Sequence, residues 1–491
     1  MEVSRELDYQ KKSLSHPYYK YSKKTQQSGP SVIQMNTSGG TDIIVQAPQE
    51  AINYSKSYVR FKLFIPQSRD GTPNAVVNYY NSIHLANIPF FQTLQFYGDN
   101  TSYIVDIPNI DTYNRVVQFT DTDMDTYLSN DIVGFASTDA EVNSLHNGIY
   151  RNNRINGVAG NEYARPASAN VDAAGVVNNP ISPNIAYLEP QYADTSEQSD
   201  VGNGGDMYYD YCFPLSMLAP NSFFAIDKDT YFPQIMNIRF VLNSYNKLTW
   251  RQVGHNNYNT GANSLFITGG ITPQISNFSV NFAIEQDPDI RQGLKNKVMT
   301  SGMEIYVPYV NSLKRTLTGT SQSVSYTFKR QHGEFLYKIY HTLTYNQEQF
   351  NNAYNMNNGC GDLGVPTQLN QKAIVYYTLL NSNVRLQDNN IVSVDLDDWF
   401  YMKEKLKGSV LGQSADLYHY NWCHVDHFSG ESALINDKRK YNEQLISGLS
   451  LAEDKIWDFV GVQTNDVPFN HYTFAITLRK LVINSTGYMM M

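Results

Sequence analysis

The densest set of residues able to hold a metal or move a proton is His419, Cys423, His424 and His427, in the run Tyr-His-Tyr-Asn-Trp-Cys-His-Val-Asp-His. His419 and Cys423 share a face of a helix or of a strand. Structural zinc sites, however, draw paired ligands from two elements, and no second Cys or His pair stands nearby. Packed aromatic and histidine side chains are the expected arrangement, with His419, Cys423 and His427 as weak metal candidates. Cys423 and His424 make a poor nucleophile and base, because adjacent strand residues point to opposite faces.

Three other patterns approach a motif and fall short. Gly359-Cys-Gly-Asp-Leu-Gly364 has dinucleotide-fingerprint spacing, but it follows a polar run rather than a strand, and Val365-Pro366 prevents a helix from opening there. Asp121-Thr-Asp-Met-Asp125 begins like a calcium loop, yet Thr126 replaces the turn glycine and Ile132 the bidentate glutamate, so a solvated acidic turn is expected. Asp395, Asp397 and Asp398 could suggest the paired carboxylates of a glycosidase, but nothing in the sequence fixes their separation. No Gly-x-Ser-x-Gly elbow, Walker loop or His-Glu-x-x-His helix is present. No catalytic residue, cofactor or small-molecule substrate is expected.

The elements around these residues are strands. Met236, Ile238, Phe240 and Leu242 alternate with Asn237, Arg239 and Val241, and the same period of two recurs at Val59, Phe61, Leu63 and Ile65 and at Phe278, Val280, Phe282 and Ile284. Further strands are expected at 303–310, 323–329, 334–344, 373–380, 391–396 and 472–483. Helical text is scarce. Asp287-Pro288 reads as an N-cap followed by proline at the first helical position, opening a short helix over 289–301 that Gly302 stops. Segments 399–407 and 437–445 are weaker helical candidates.

This plan implies an all-β chain, and 491 residues exceed one ordinary core. Two jelly-roll or related sandwiches are expected, at 41–286 and 287–491, preceded by a basic arm over 1–40. Lys11, Lys12, Lys20, Lys23 and Lys24 fall in that arm among tyrosines, with no acid between Asp8 and Asp42, suited to docking on a neighbouring subunit or an anionic interior. Residues 136–206 are rich in Asn, Ala, Gly, Ser and Pro and read as a long surface excursion of the first sandwich, where recognition usually sits.

A net charge of −9 argues against a surface that wraps nucleic acid throughout, so any such contact is local. Charged residues are only 17% of the chain while Tyr and Phe number 37 and 23, a surface suited to protein partners. The separated Cys212, Cys360 and Cys423 fit buried thiols rather than a disulfide framework. The charged start and the lack of a membrane-length apolar run fit a soluble product assembled inside a cell.

The basic arm, the Ser-Tyr-Val-Arg-Phe-Lys-Leu-Phe-Ile strand, the Phe213-Pro214-Leu215 corner leading to Phe223-Phe224 and then to Asn237-Ile-Arg-Phe-Val-Leu, and a helix-capped second sandwich together resemble double jelly-roll major capsid proteins. The likeness is nearest to those of virophages and polinton-like viruses, in the lineage that includes adenovirus hexons. It implies two jelly rolls side by side and a homotrimer that forms a pseudo-hexagonal capsomer of an icosahedral shell. Neighbouring capsomers, penton and minor capsid proteins would be its partners and the virion its location. Residues 136–206 would contribute to an outward tower, and the arm would lie at the inner rim against genome or an internal membrane. The competing expectation is a viral spike or carbohydrate-binding β-sandwich protein.

Overall fold

A computed structural model describes residues 19–36, 38–65, 80–84, 90–99, 102–121, 187–188, 191–192, 207–244, 250–253, 273–317, 321–345, 377–386, 389–395, 423–427, 448–463 and 469–491. Among the described residues the strands pair antiparallel into five sheets. The first runs in the order β1 (Tyr19–Thr25), β14 (Gln274–Glu285), β4 (Ile52–Ile65), β10 (Met207–Pro214) and β9 (Gln191–Tyr192). β2 (Val32–Gln34) joins β14, and β11 (Asp229–Thr230) joins β4. The second sheet is β3 (Asp42–Ala47), β12 (Met236–Leu242), β6 (Phe91–Tyr97) and β7 (Tyr103–Pro108). A small third sheet pairs β13 (Trp250–Val253), β5 (Tyr80–His84) and β8 (Tyr187–Leu188).

Later in the chain, β15 (Met303–Leu317), β23 (Phe469–Asn484), β17 (Phe335–Tyr345) and β20 (Cys423–His427) make the fourth sheet, extended by β24 (Gly487–Met490) on β23 and β21 (Leu449–Ser450) on β17. The fifth is β16 (Ser321–Phe328), β22 (Lys455–Gln463), β18 (Tyr377–Leu386) and β19 (Asn389–Asp395).

The period of two in the sequence becomes the core of the first sandwich. Along β12, Met236, Ile238, Phe240 and Leu242 are buried while the residues between them are half-buried. Sheets one and two meet through rings: Phe61 on β4 lies 5.9 Å from Phe91 on β6, and Phe278 on β14 lies 5.1 Å from Phe240 on β12. Phe61 is also 5.2 Å from Tyr211 and 5.3 Å from Phe90, so one buried ring ties three strands and the turn before β6 together. Beyond Pro214 the corner becomes a single helical turn, α2 (Leu215–Leu218), and then a 3-10 turn at Phe223–Ala225. The Ser222 hydroxyl caps that turn by accepting from the Phe224 amide at 3.2 Å.

Residues 19–25 and 32–34, expected within an arm, are strands of the first sheet. β14 would otherwise present an open edge, and β1 covers it with Tyr21 opposite Ala283 and Lys23 opposite Asn281. The chain then crosses to the second sheet, where the Gln27 amide donates to the Ile44 carbonyl at 2.9 Å, closing that side of the sandwich. A helix not among the elements expected from the sequence, α1 (Ile110–Asp121), follows β7. Ile110, Tyr113, Val116 and Val117 give it a buried stripe at helical spacing.

Helix α3 (Pro288–Thr300) separates the strands of the two sandwiches, within a residue of the expected bounds. The Asp287 carboxylate accepts from the amides of Asp289 and Ile290, and Gly302, at φ 74°, ends the helix with its amide on the Lys297 carbonyl. Only a left-handed residue closes the helix this way, so glycine fits there at no cost.

The second sandwich is filled differently. His471 on β23 is fully buried, with its ring 6.4 Å from Tyr326 on β16 and 6.3 Å from Trp457 on β22, all three planes near parallel. Burial, seconded by the Arg315 guanidinium, pushes its pKa down to about 3. Below an ordinary histidine pKa of about 6.5 the unfolded chain takes a proton that the folded chain refuses, so this group withdraws stability as pH falls from there toward 3. Between pH 7 and pH 5 the cost is about 2 kcal/mol. Denaturant titrations at those two pH values should show a smaller acid loss for His471→Phe than for the parent; equal losses would refute the assignment.

Candidate functional site: the junction between the two sandwiches

The strongest concentration of buried polar groups among the described residues lies where α1 of the first sandwich meets the fourth sheet. Lys338 on β17 and Asp121 at the end of α1 are both fully buried, and the Lys338 ammonium sits 2.5 Å from the Asp121 carboxylate. The Tyr340 hydroxyl donates to the same carboxylate. Asn221, in left-handed conformation at φ 51°, donates from its side-chain amide to the oxygens of Tyr340 at 3.0 Å and Tyr113 at 3.3 Å. The Tyr113 hydroxyl donates to the Pro220 carbonyl at 2.6 Å. One connected network thus joins residues 110–121 and 220–221 to the second sandwich.

Its electrostatics follow from where Asp121 stands. A carboxylate at a helix C-terminus adds to the negative end of the helix dipole, and burial removes the water that would solvate both. Lys338 answers both charges, and its ammonium also lies over the Tyr340 ring at 4.9 Å. Burial draws the Lys338 pKa down, and the adjacent carboxylate pulls it back up. Burial holds the Tyr113 hydroxyl well above the ordinary tyrosine range, so it stays a protonated donor.

Apolar packing surrounds the network. Tyr113 lies 5.1 Å from Phe474 and edge-on to Tyr340 at 6.2 Å. This contact explains why β23 shows no alternation over 470–478: Tyr472, Phe474 and Ile476 face the junction, while His471 faces the fifth sheet, so both faces are buried. Two further contacts flank it. Ser312 on β15 donates to the Pro108 carbonyl of β7 at 3.3 Å. At the C-terminal hairpin the Tyr488 hydroxyl accepts from the Gly98 amide at 2.9 Å and donates to the Ser102 carbonyl, while its ring meets Phe232 at 6.0 Å.

No family model and no curated protein matches the sequence. Solved structures do. A chain of the Sputnik virophage structure, determined by electron cryo-microscopy, superposes over 100% of this chain and 92% of its own with a TM-score of 0.51 at 12% identity. The fold is a double jelly roll. The Faustovirus major capsid protein (TM-score 0.49, 10% identity, 97% of this chain and 93% of that one) and the mavirus major capsid protein (0.46, 7%, 99% and 93%) are also similar.

The residues singled out from sequence are scattered through the double jelly roll. Cys423 and His427 stand at opposite ends of β20, opposite Thr342 and Lys338 in register, with Cα atoms about 13 Å apart at ordinary strand rise. His419 lies outside the described residues, as do Lys11, Lys12, Gly359–Gly364, Asp397, Asp398 and segments 399–407 and 437–445. Lys20, Lys23 and Lys24 lie exposed on β1. Asp121, expected in a solvated turn, is instead the buried carboxylate of the junction, because α1 carries it against β17. Asp123 and Asp125 lie outside the described residues. Lys338, Tyr340 and Asn221 were missed; the one available signal was a lysine in the otherwise apolar run Phe-Leu-Tyr-Lys-Ile-Tyr.

Removing one partner of a buried ion pair strands the other, so Lys338→Met should cost about 3–5 kcal/mol in denaturant unfolding. Asp121→Leu combined with Lys338→Met should recover most of that loss. A double variant no better than the single would refute the pairing.

Proposed function

We propose that this chain is a viral major capsid protein, built as two jelly rolls that three copies multiply into a pseudo-hexagonal capsomer of an icosahedral shell. The observation that carries the reading is a single chain whose two sandwiches are fixed side by side by a buried, fully internal junction. Closed symmetric assembly reuses identical contacts, and three copies of two similar sandwiches offer six similar flanks. A chain poor in charge and rich in tyrosine suits such contacts. Its partners are then identical subunits, neighbouring capsomers and the penton and minor proteins that complete a shell, and its location is the virion.

We assign the division of the chain on the same reading: a first jelly roll to 286, including the 136–206 excursion toward the outer surface, and a second from 287. The arm that would reach toward genome or an internal membrane is then confined to the residues before β1, which belongs to the first sheet.

Sedimentation of the purified chain should give a trimer that buries thousands of square ångströms, and negative-stain images should show hexagonal particles or shells. A monodisperse monomer, or glycan binding by a species that never forms particles, would sink the proposal. Deleting residues 1–18 should leave the trimer intact and impair shell closure. Deleting 1–30 should also lower the unfolding midpoint, since it removes β1 from its pairing with β14.

A further inference from the structure

We propose that the outer face of the first sheet, centred on Tyr21, Lys23 and Arg60, binds single-stranded nucleic acid. This deepens the capsid reading by moving the anion-binding groups from a free arm to a folded surface.

The strand register sets the face. On β4, Val59, Phe61 and Leu63 point into the core, which sends Tyr58, Arg60 and Lys62 outward. Across the sheet Lys23 aligns with Asn281 and Tyr58, and Thr25 with Ser279 and Arg60. The middle strand offers Ser279, Asn281 and Ala283 to this face, with Glu285 at its end opposite Tyr19, all buried. Over that floor of short side chains the Tyr21 and Tyr58 rings meet at 5.4 Å and 57°, and Tyr21 remains 49% exposed.

Lys23 and Arg60 stand exposed beside this ring pair, while Lys20 and Lys24, opposite Ile284 and Val280 in register, extend from the other face of the same edge strand. None of these four cations makes an ion pair among the described residues. Lys56 is set aside because it pairs with Asp227 at 3.2 Å, and Lys62 because it stands opposite Asp210.

The wider charge distribution sharpens the contrast. Residues 122–206 carry twelve acidic and three basic residues, a net of −9 equal to that of the whole chain, so the remaining residues balance in sum and the attraction on this face must come from Lys23 and Arg60 themselves. Cations that contact phosphates beside an exposed aromatic that can stack a base are the two components of sequence-tolerant single-strand binding. An acidic protein would use the cations and leave the exposed ring without a role.

Anisotropy titration of the full chain with a fluorescein-labelled oligo(dT) probe over a salt series tests this. The parent should bind with a steep salt dependence. Lys23→Gln with Arg60→Gln should flatten the log–log slope by about 1.4, at about 0.7 per phosphate contact, and Tyr21→Ala should lower affinity about tenfold without changing the slope. Circular dichroism and an unchanged unfolding midpoint would confirm that the variants fold. No binding by the parent at about 50 mM salt, or unaltered slopes in the double variant, overturns the proposal. So does loss of self-association or of anionic-vesicle binding in that variant with oligo(dT) affinity intact. Particles that form without binding oligo(dT) would refute this surface alone, whereas binding by a chain that never assembles would refute the capsid reading.

Discussion

The contact between Lys338 and Asp121 is the constraint on which the relation of the two jelly rolls depends. Each charge is fully buried, each comes from a different sandwich, and neither can be satisfied by water if the sandwiches shift. Such a pair contributes little net stability over an apolar filling, because desolvation of both ions offsets their attraction. What it supplies is a penalty against every other arrangement. A slide of a few ångströms would leave a carboxylate at the end of α1 and an ammonium on β17 in a dry environment. The surrounding hydroxyls of Tyr340 and Tyr113 and the amide of Asn221 extend the same demand to three further groups.

The junction also accounts for a difference between the two cores. The first jelly roll encloses phenylalanine and tyrosine rings between its two sheets, with Phe61 at the centre. In the second, the fourth sheet must serve two neighbours. Its junction face carries Tyr472 and Phe474 against α1, and its inner face carries His471 among Tyr326 and Trp457. Placing a neutral imidazole in that inner layer gives the core of the second jelly roll a group that acid can charge, where the core of the first is packed with phenylalanine and tyrosine rings that take up no proton in acid.

Much of the fold was legible because it rests on local patterns. Alternation over 236–242 places four apolar side chains on one face whatever the partner strand, and Asp287-Pro288 with Gly302 brackets α3 by chemistry confined to a few residues. The junction was illegible for the opposite reason: Lys338 and Asp121 are 217 positions apart, and nothing local marks them as partners. Ile110, Tyr113, Val116 and Val117 did carry a helical spacing, but Asp121 read as the opening of an acidic turn because its neighbours Asp123 and Asp125 are acids too. The lysines of β1 misled similarly. Charge suggested a free arm, whereas an edge strand tolerates lysine and even benefits from it, since it discourages unwanted pairing along the open side.

On the capsid reading proposed above, one angle between the two sandwiches would have to repeat in every copy, since a small error per subunit accumulates around a ring. An apolar interface alone would not enforce this, because greasy surfaces slide with little loss of buried area. Directional groups do enforce it: the Asp121 carboxylate accepts from Lys338 and Tyr340 only at short range, and the Tyr488 hydroxyl must meet the Gly98 amide and Ser102 carbonyl at once. These two anchors lie on different elements, one at the end of α1 and one on the C-terminal hairpin. Held at two separate points, the second jelly roll is restrained from pivoting about either one alone, by hydrogen bonds within a single chain.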